Sequence, residues 1–133
     1  MQIPIANKLK KRIQIEIASL QDEIVELVYR IHENAVLHGG TAIWRCYSGN
    51  RFSEDVDAYI EKDDKKINDF LKSLETKGIR VIKIRIRENS VYSALDFNRI
   101  TTKFEATFQK KKPFLKKYET SESNYINVFT LTP

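Results

Sequence analysis

One cysteine, three prolines and four glycines are all that this chain of 133 residues contains of those types, and each shortage excludes something. A lone Cys46 cannot close an internal disulfide, so a cystine-stapled mini-protein is ruled out and an oxidising compartment is not implied. So little glycine and proline excludes a collagen-like fibre or a flexible low-complexity tail. No apolar run approaches the roughly 20 residues that a membrane helix needs, and the opening MQIPIANKLKK lacks the apolar core of a secretory signal. A cytoplasmic location with no membrane partner is the expectation. No Gly-Lys-Ser/Thr ending of a phosphate loop is present, no zinc-ligand spacing surrounds Cys46, and no Ser-His-Asp or Cys-His arrangement is readable. What remains, 41% hydrophobic and 31% charged residues, is ordinary for one globular domain. A chain of this length buries roughly two-thirds of the surface its unfolded form exposes, enough for a core without staples.

Lys and Arg outnumber Asp and Glu by 23 to 18, a formal charge of +5. That surplus suits a polyanion such as a nucleotide or RNA, and equally suits a protein with no such partner. Its distribution says more. Lys8, Lys10, Lys11 and Arg12 form one cluster and Lys110, Lys111, Lys112, Lys116 and Lys117 another, while acidic residues crowd the segment from Ser53 to Asp69.

From Asn7 to Asn34 apolar residues recur at three- and four-residue spacing, which predicts one long helix, or two with a break near Ser19 and Asp22 capping the second. Ala35 to Leu37 reads as a brief strand running into the Gly39-Gly40 turn, and Thr41 to Tyr47 as a short helix. Val56, Ala58 and Ile60 alternate with Asp55, Asp57 and Tyr59 as in a half-buried strand. Asp63 or Asp64 caps a helix to about Lys77, which Gly78 stops. Ile82, Ile84 and Ile86 alternate with Lys83, Arg85 and Arg87, the cleanest strand pattern in the chain. Val91 to Asn98 and Thr102 to Phe108 are two further strands joined at Asn98-Arg99. The segment from Lys110 is basic and then polar, before a last strand from Tyr125 to Leu131. These elements make one α+β domain over residues 1–133, with helices packed on a mixed or antiparallel sheet.

Asp55 and Asp57, two apart on a strand, leave the same face of the sheet. Neighbouring carboxylates resist joint ionisation unless a cation lies between them, and Mg2+, a hard ion preferring oxygen, is the natural one. By itself a D-x-D pair is also what a solvated strand face produces. Gly39-Gly40-Thr41 lies between a strand and a helix, where backbone freedom and helix N–H groups suit a phosphate and Thr41 offers a hydroxyl. A tight connection alone would explain those glycines too. Together, a phosphate cradle one short helix before a metal-binding strand is what a nucleoside triphosphate (NTP) with magnesium requires. A third carboxylate would complete a site for two ions. Glu105, on the polar face of its strand, is the first candidate and Asp96 competes with it.

The stretches Leu37-His38-Gly39-Gly40-Thr41-Ala42 and Asn50-Arg51-Phe52-Ser53-Glu54-Asp55-Val56-Asp57 resemble the signature of the AbiEii/AbiGii-type nucleotidyltransferases, toxins of type IV toxin–antitoxin and abortive-infection systems. These belong to the polymerase-beta-like nucleotidyltransferase superfamily. The resemblance is specific from Val36 to Ile60 and looser elsewhere. It implies a minimal nucleotidyltransferase fold in which Gly39, Gly40 and Thr41 face the triphosphate and Asp55, Asp57 and Glu105 hold two Mg2+ ions. It further implies Ser53 near metal or phosphate, Arg51 near the nucleotide, a hydroxyl acceptor on RNA, tRNA or protein, and a cognate antitoxin. Relatives continue past a segment like Leu131-Thr132-Pro133 into a helical half that supplies a lysine and another acidic residue, so these residues are expected to form the N-terminal part of a longer architecture. Lys103, Lys83 and Arg85 are the candidates to replace that lysine. A nucleotidyltransferase fold that only binds nucleotide or RNA, acting through a partner, is the alternative.

Several residues fit that scheme less directly. Lys83, Arg85 and Arg87 are either a stripe for an RNA backbone or charges guarding an exposed strand. The run from Lys110 to Lys117 is the better RNA candidate, because Phe114 and Tyr118 offer rings to stack on bases. His38 is expected to be structural or a supporting contact, His32 to lie on the surface, and Trp44 and Tyr47 to pack into the core.

Overall fold

In the computed structural model, which describes residues 12–47 and 52–131, one unbroken helix α1 spans Arg12–Ile31. The break expected near Ser19 is absent. Ile17, Leu20, Ile24, Leu27 and Val28 form its buried stripe, and Asp22 lies mid-helix, buried in an ion pair rather than capping. β1 (Val36–His38) passes directly into α2 (Gly39–Cys46), and β2 covers Asp55–Ile60. α3 (Asp64–Thr76) is capped by Asp63, whose side chain accepts from the Lys66 N–H. It stops where Gly78 takes a left-handed φ of 83° and the Ile79 N–H reaches back to the Leu74 carbonyl at 3.0 Å.

β3 (Arg80–Ile86), β4 (Ser90–Phe97) and β5 (Ile100–Phe108) follow as an antiparallel meander. Asn98 and Arg99 both adopt positive φ, 49° and 67°, as a two-residue hairpin between twisted strands requires. β6 (Phe114–Glu119) and β7 (Tyr125–Thr130) form a last hairpin. The sequence shows no strand at β6, because FLKKYE carries its lysines in adjacent positions and hides the alternation; pairing with β7 creates it.

Among the described residues, the seven strands form one open mixed sheet in the order β3-β4-β5-β2-β1-β7-β6. With the three described helices this is the expected α+β class. The pairs β2–β5 and β1–β7 are parallel and the rest antiparallel. The core lies where α1 and α3 meet one face of the sheet: Ile24, Leu27, Phe70 and Leu74 pack with Val56, Ala58, Leu95, Phe104 and Ala106. His32, expected on the surface, is buried at the end of α1 with its ring edge-on to Phe70.

Two further expectations about aromatic residues divide. Trp44 is buried against Ala18 and Phe52, whereas Tyr47 stays at the surface, its hydroxyl 2.7 Å from that of Thr130 and its ring under Lys116. Tyr118 is 0% exposed and its ring lies beneath the Arg45 guanidinium, so it has no face to offer a base. Arg45, itself 2% exposed, ties three elements together. Its nitrogens donate to Asp22 at 2.7 Å, to Gln21 and the Ala18 carbonyl on α1, and to the Glu119 carbonyl at the end of β6. The other oxygen of Asp22 accepts from the Ser121 N–H and hydroxyl.

Candidate functional site: a carboxylate face beside a glycine turn

The parallel pairing of β2 with β5 decides which carboxylates meet. Val56, Ala58 and Ile60 point into the core, which turns Asp55, Asp57 and Tyr59 to the other face. On β5, Thr102, Phe104 and Ala106 are buried, which turns Lys103 and Glu105 outward. The register sets Asp57 level with Glu105 and Asp55 level with Lys103. Asp55, Asp57 and Glu105 therefore share one sheet face on adjacent strands.

Their proximity is felt electrostatically. Partial burial, with the charges of Asp55 and Glu105 adding to it, pushes the Asp57 carboxyl up from 3.8 to about 6. Asp96 is elsewhere: it pairs with Arg80 at 2.9 Å on the β3–β4 ladder, opposite Thr101 on β5. The geometry thus groups Glu105, and not Asp96, with the two aspartates.

The glycine turn packs directly on this face. His38 is level with Asp57 across the antiparallel β1–β2 pair, so the next residue, Gly39, lies against the Asp57 side chain. Gly39 has φ 78°, and a β-carbon placed there would sit 2.7 Å from Asp57 Oδ2. One at Gly40 would sit 2.9 Å from Ser53 Oγ. The cap residue of α2, His38, makes no side-chain capping bond, which leaves the first-turn N–H groups open toward an anion.

Thr41 has a different place from the one expected. It is buried, and its hydroxyl donates to the Asp55 carbonyl, so it anchors β2 to α2 and does not present a free hydroxyl to a phosphate. The residues leading into β2 are held by two other contacts: Gln21 Nε2 donates to the Ser53 carbonyl at 2.8 Å and the Thr102 hydroxyl donates to the Glu54 carbonyl. Gln21 is the residue sequence reasoning missed. A polar residue on the buried stripe of α1 was the available signal. Arg51 lies outside the described residues.

His38 stacks on Tyr59 with ring centroids 4.1 Å apart, and burial lowers its pKa, so it is neutral near pH 7. Lys111, from the β5–β6 connection, lies over the other member of that stack, 5.1 Å from the Tyr59 ring centre. It opposes protonation of His38 while Glu105 favours it, which places a cation and a carboxylate around the same ring. Cys46 has no part in this: burial pushes its thiol up to about 12. A cleft of about 450 Å³ lined by Leu20, Ile79, Phe97 and Ile100 opens on the helical side and shares no residue with the carboxylate face.

The donor set fits a hard divalent cation in kind: three carboxylates, oxygen only, crowded enough to hold back ionisation of Asp57. Among the described residues no three such side chains already converge on one point, so side-chain rotation would have to complete the coordination. No described helix is long and apolar enough to cross a membrane. No curated protein and no solved structure gives a match to the chain. The family model for the nucleotidyl transferase AbiEii toxin of type IV toxin–antitoxin systems matches residues 27–120, a span that includes Gly39, Asp55, Asp57 and Glu105. The chain with this carboxylate face belongs to the AbiEii family of nucleotidyl transferase toxins.

Proposed function

We propose that this nucleotidyl transferase moves a nucleoside monophosphate from an NTP to a hydroxyl on RNA, tRNA or protein. The acceptor oxygen bonds to the α-phosphorus, the bond to the β-phosphate oxygen breaks, pyrophosphate leaves, and the acceptor loses its proton. The observation that carries this reading is Asp57, seated between Asp55 on its own strand, Glu105 on the next and Gly39 at its tip. Asp55, Asp57 and Glu105 would hold Mg2+, which neutralises phosphate charge and activates the attacking oxygen when bound.

The chain's own residues supply position. Close approach of the backbone at Gly39 and Gly40 brings the N–H groups of α2 beside the carboxylates, where the outgoing phosphates would lie, with the Ser53 hydroxyl next to them. Thr41 and Gln21 fix the start of β2, so the aspartates have a defined spacing from that turn. Lys103, level with Asp55, and Lys111, over Tyr59, put positive charge on the same face for a polyanionic acceptor.

Incubation with Mg2+ and each α-labelled NTP in turn, followed by intact-mass analysis of RNA and protein, tests the reading. Label transfer is expected from the unaltered chain and from Asp96→Asn, and not from a folded Asp57→Asn. Transfer at full rate by Asp57→Asn would overturn it. Nucleotide binding without transfer would favour a binding module acting through a partner.

A further inference from the structure

β3 is the end strand of the sheet, and its protection is partial: Lys83 and Arg85 charge one side and a bulge interrupts it between Val81 and Lys83, while the isoleucines stay bare. Among the described residues its outer row of backbone N–H and C=O groups has no strand beside it. Ile82, Ile84 and Ile86 are 51%, 41% and 54% exposed, although a strand of this pattern ordinarily hides its apolar side. Ile84 and Ile86 are level with Ser93 and Val91 of β4, which are buried, so these two isoleucines lie at the rim of the covered face, and Ile82 sits where the bulge interrupts the ladder between Val81 and Lys83. Three exposed isoleucines next to unpaired backbone are a template for another strand.

The other side of β3 says which strand. Lys83 and Arg85 point away from the isoleucines, Arg87 follows, and the strand contains no acidic residue. Arg80 alone is neutralised, by Asp96; among the described residues no ion pair is formed by Lys83, Arg85 or Arg87. A second copy of this chain pairing antiparallel about Ile84 would set Lys83 opposite Arg85 twice over, and like charges directly opposite are destabilising. An RNA would satisfy the cations and leave the isoleucines in water. A strand alternating apolar and acidic residues satisfies the backbone, the isoleucines and the cations together.

We propose that β3 is the docking edge for an extended segment of a partner protein in which apolar and acidic residues alternate. One-sign charge here disfavours pairing with a second copy and leaves the edge open to an acidic partner. The inference rests on the sheet edge and is independent of the proposed transfer chemistry.

The probe is a capped peptide copying residues 80–86 with K83E and R85E, titrated into the full chain and followed by backbone hydrogen exchange. Binding is expected, with slowed exchange over residues 80–86. The unaltered basic peptide, and the acidic peptide carrying I84P, which loses a backbone donor, are expected not to bind. K83E/R85E in the chain itself should weaken the acidic peptide at least about tenfold, with the fold checked by circular dichroism. The exchange map on the unaltered chain stands whether or not that variant folds. No binding of the acidic peptide, protection elsewhere, or displacement of the peptide by a single-stranded RNA that protects the same residues would overturn the proposal.

Discussion

The α-carbon of Gly39 approaches the Asp57 carboxylate so closely that a β-carbon in its place would lie 2.7 Å from Oδ2. Two features eighteen residues apart in the chain are thereby one structural unit, since the turn that would hold phosphate is also the wall that seats the aspartate. β1 and β2 pair so that His38 is level with Asp57, and the chain leaves β1 at the next residue.

That contact makes the glycines testable. Gly39→Ala puts a side chain in the left-handed region and into the Asp57 carboxylate, and is expected to cost at least about 1–2 kcal/mol in urea unfolding. Gly40→Ala presses only on Ser53, with its β-carbon 2.9 Å from Oγ. Adding Ser53→Gly should restore most of the stability lost in Gly40→Ala and none of that lost in Gly39→Ala.

Asp57 sets a pH dependence with a definite sign. With its carboxyl raised from 3.8 to about 6, the folded protein keeps a proton that the unfolded chain has released between those values. Its contribution to stability is full below the lower value and lost as pH rises through the higher one. Urea midpoints in chelator, compared between the unaltered chain and Asp57→Asn, should therefore converge toward acid pH and separate in favour of the variant above about pH 6. Buried His32 and half-buried His38 are present in both proteins, so the difference between them isolates residue 57.

Carboxyl-carbon NMR identifies the third carboxylate. Glu105→Gln removes one of the two charges that raise Asp57, so the Asp57 midpoint should fall below about 6. Asp96→Asn, whose carboxylate is engaged by Arg80, should leave it in place. The reverse pattern would exchange their roles.

The Arg45–Asp22 pair should behave as a buried charge pair. Removing one partner strands the other, and Asp22→Leu or Arg45→Met alone is expected to cost about 3–5 kcal/mol. The double variant should lose clearly less than the sum, measured by chemical unfolding. Additive losses would mean that the two side chains act independently.

Thr41→Val keeps the shape and removes the hydroxyl that donates to the Asp55 carbonyl. A loss of about 1–3 kcal/mol is expected, with amide shifts concentrated at the start of β2. Unchanged stability with weaker NTP binding would return Thr41 to the phosphate role read from the sequence.

Much of this was legible in the chain. Alternation around Asp55 and Asp57 named both the strand and its solvent face, and period-two patterning placed Glu105 outward on its own strand. The capping by Asp63 and the stop at Gly78 are local rules that need no tertiary partner. The misreadings share a cause. At Tyr118, His32, Tyr47 and Asp22 residue type alone misleads, because each position is decided by an element distant in sequence: Arg45 over Tyr118, Phe70 beside His32, Thr130 at Tyr47 and Ser121 at Asp22.

The shortages at the outset, with one cysteine and few glycines and prolines, determined that the fold rests on an apolar core and that two adjacent glycines require a particular reason. Local pattern determined the helices, most strands and the outward direction of the carboxylates, because the side-chain periods of helix and strand are intrinsic to the backbone. Only tertiary structure decided strand order and register. Those choices brought Glu105 level with Asp57, drew Thr41 inward and left the isoleucines of β3 uncovered, because long-range pairing follows from how the whole core closes.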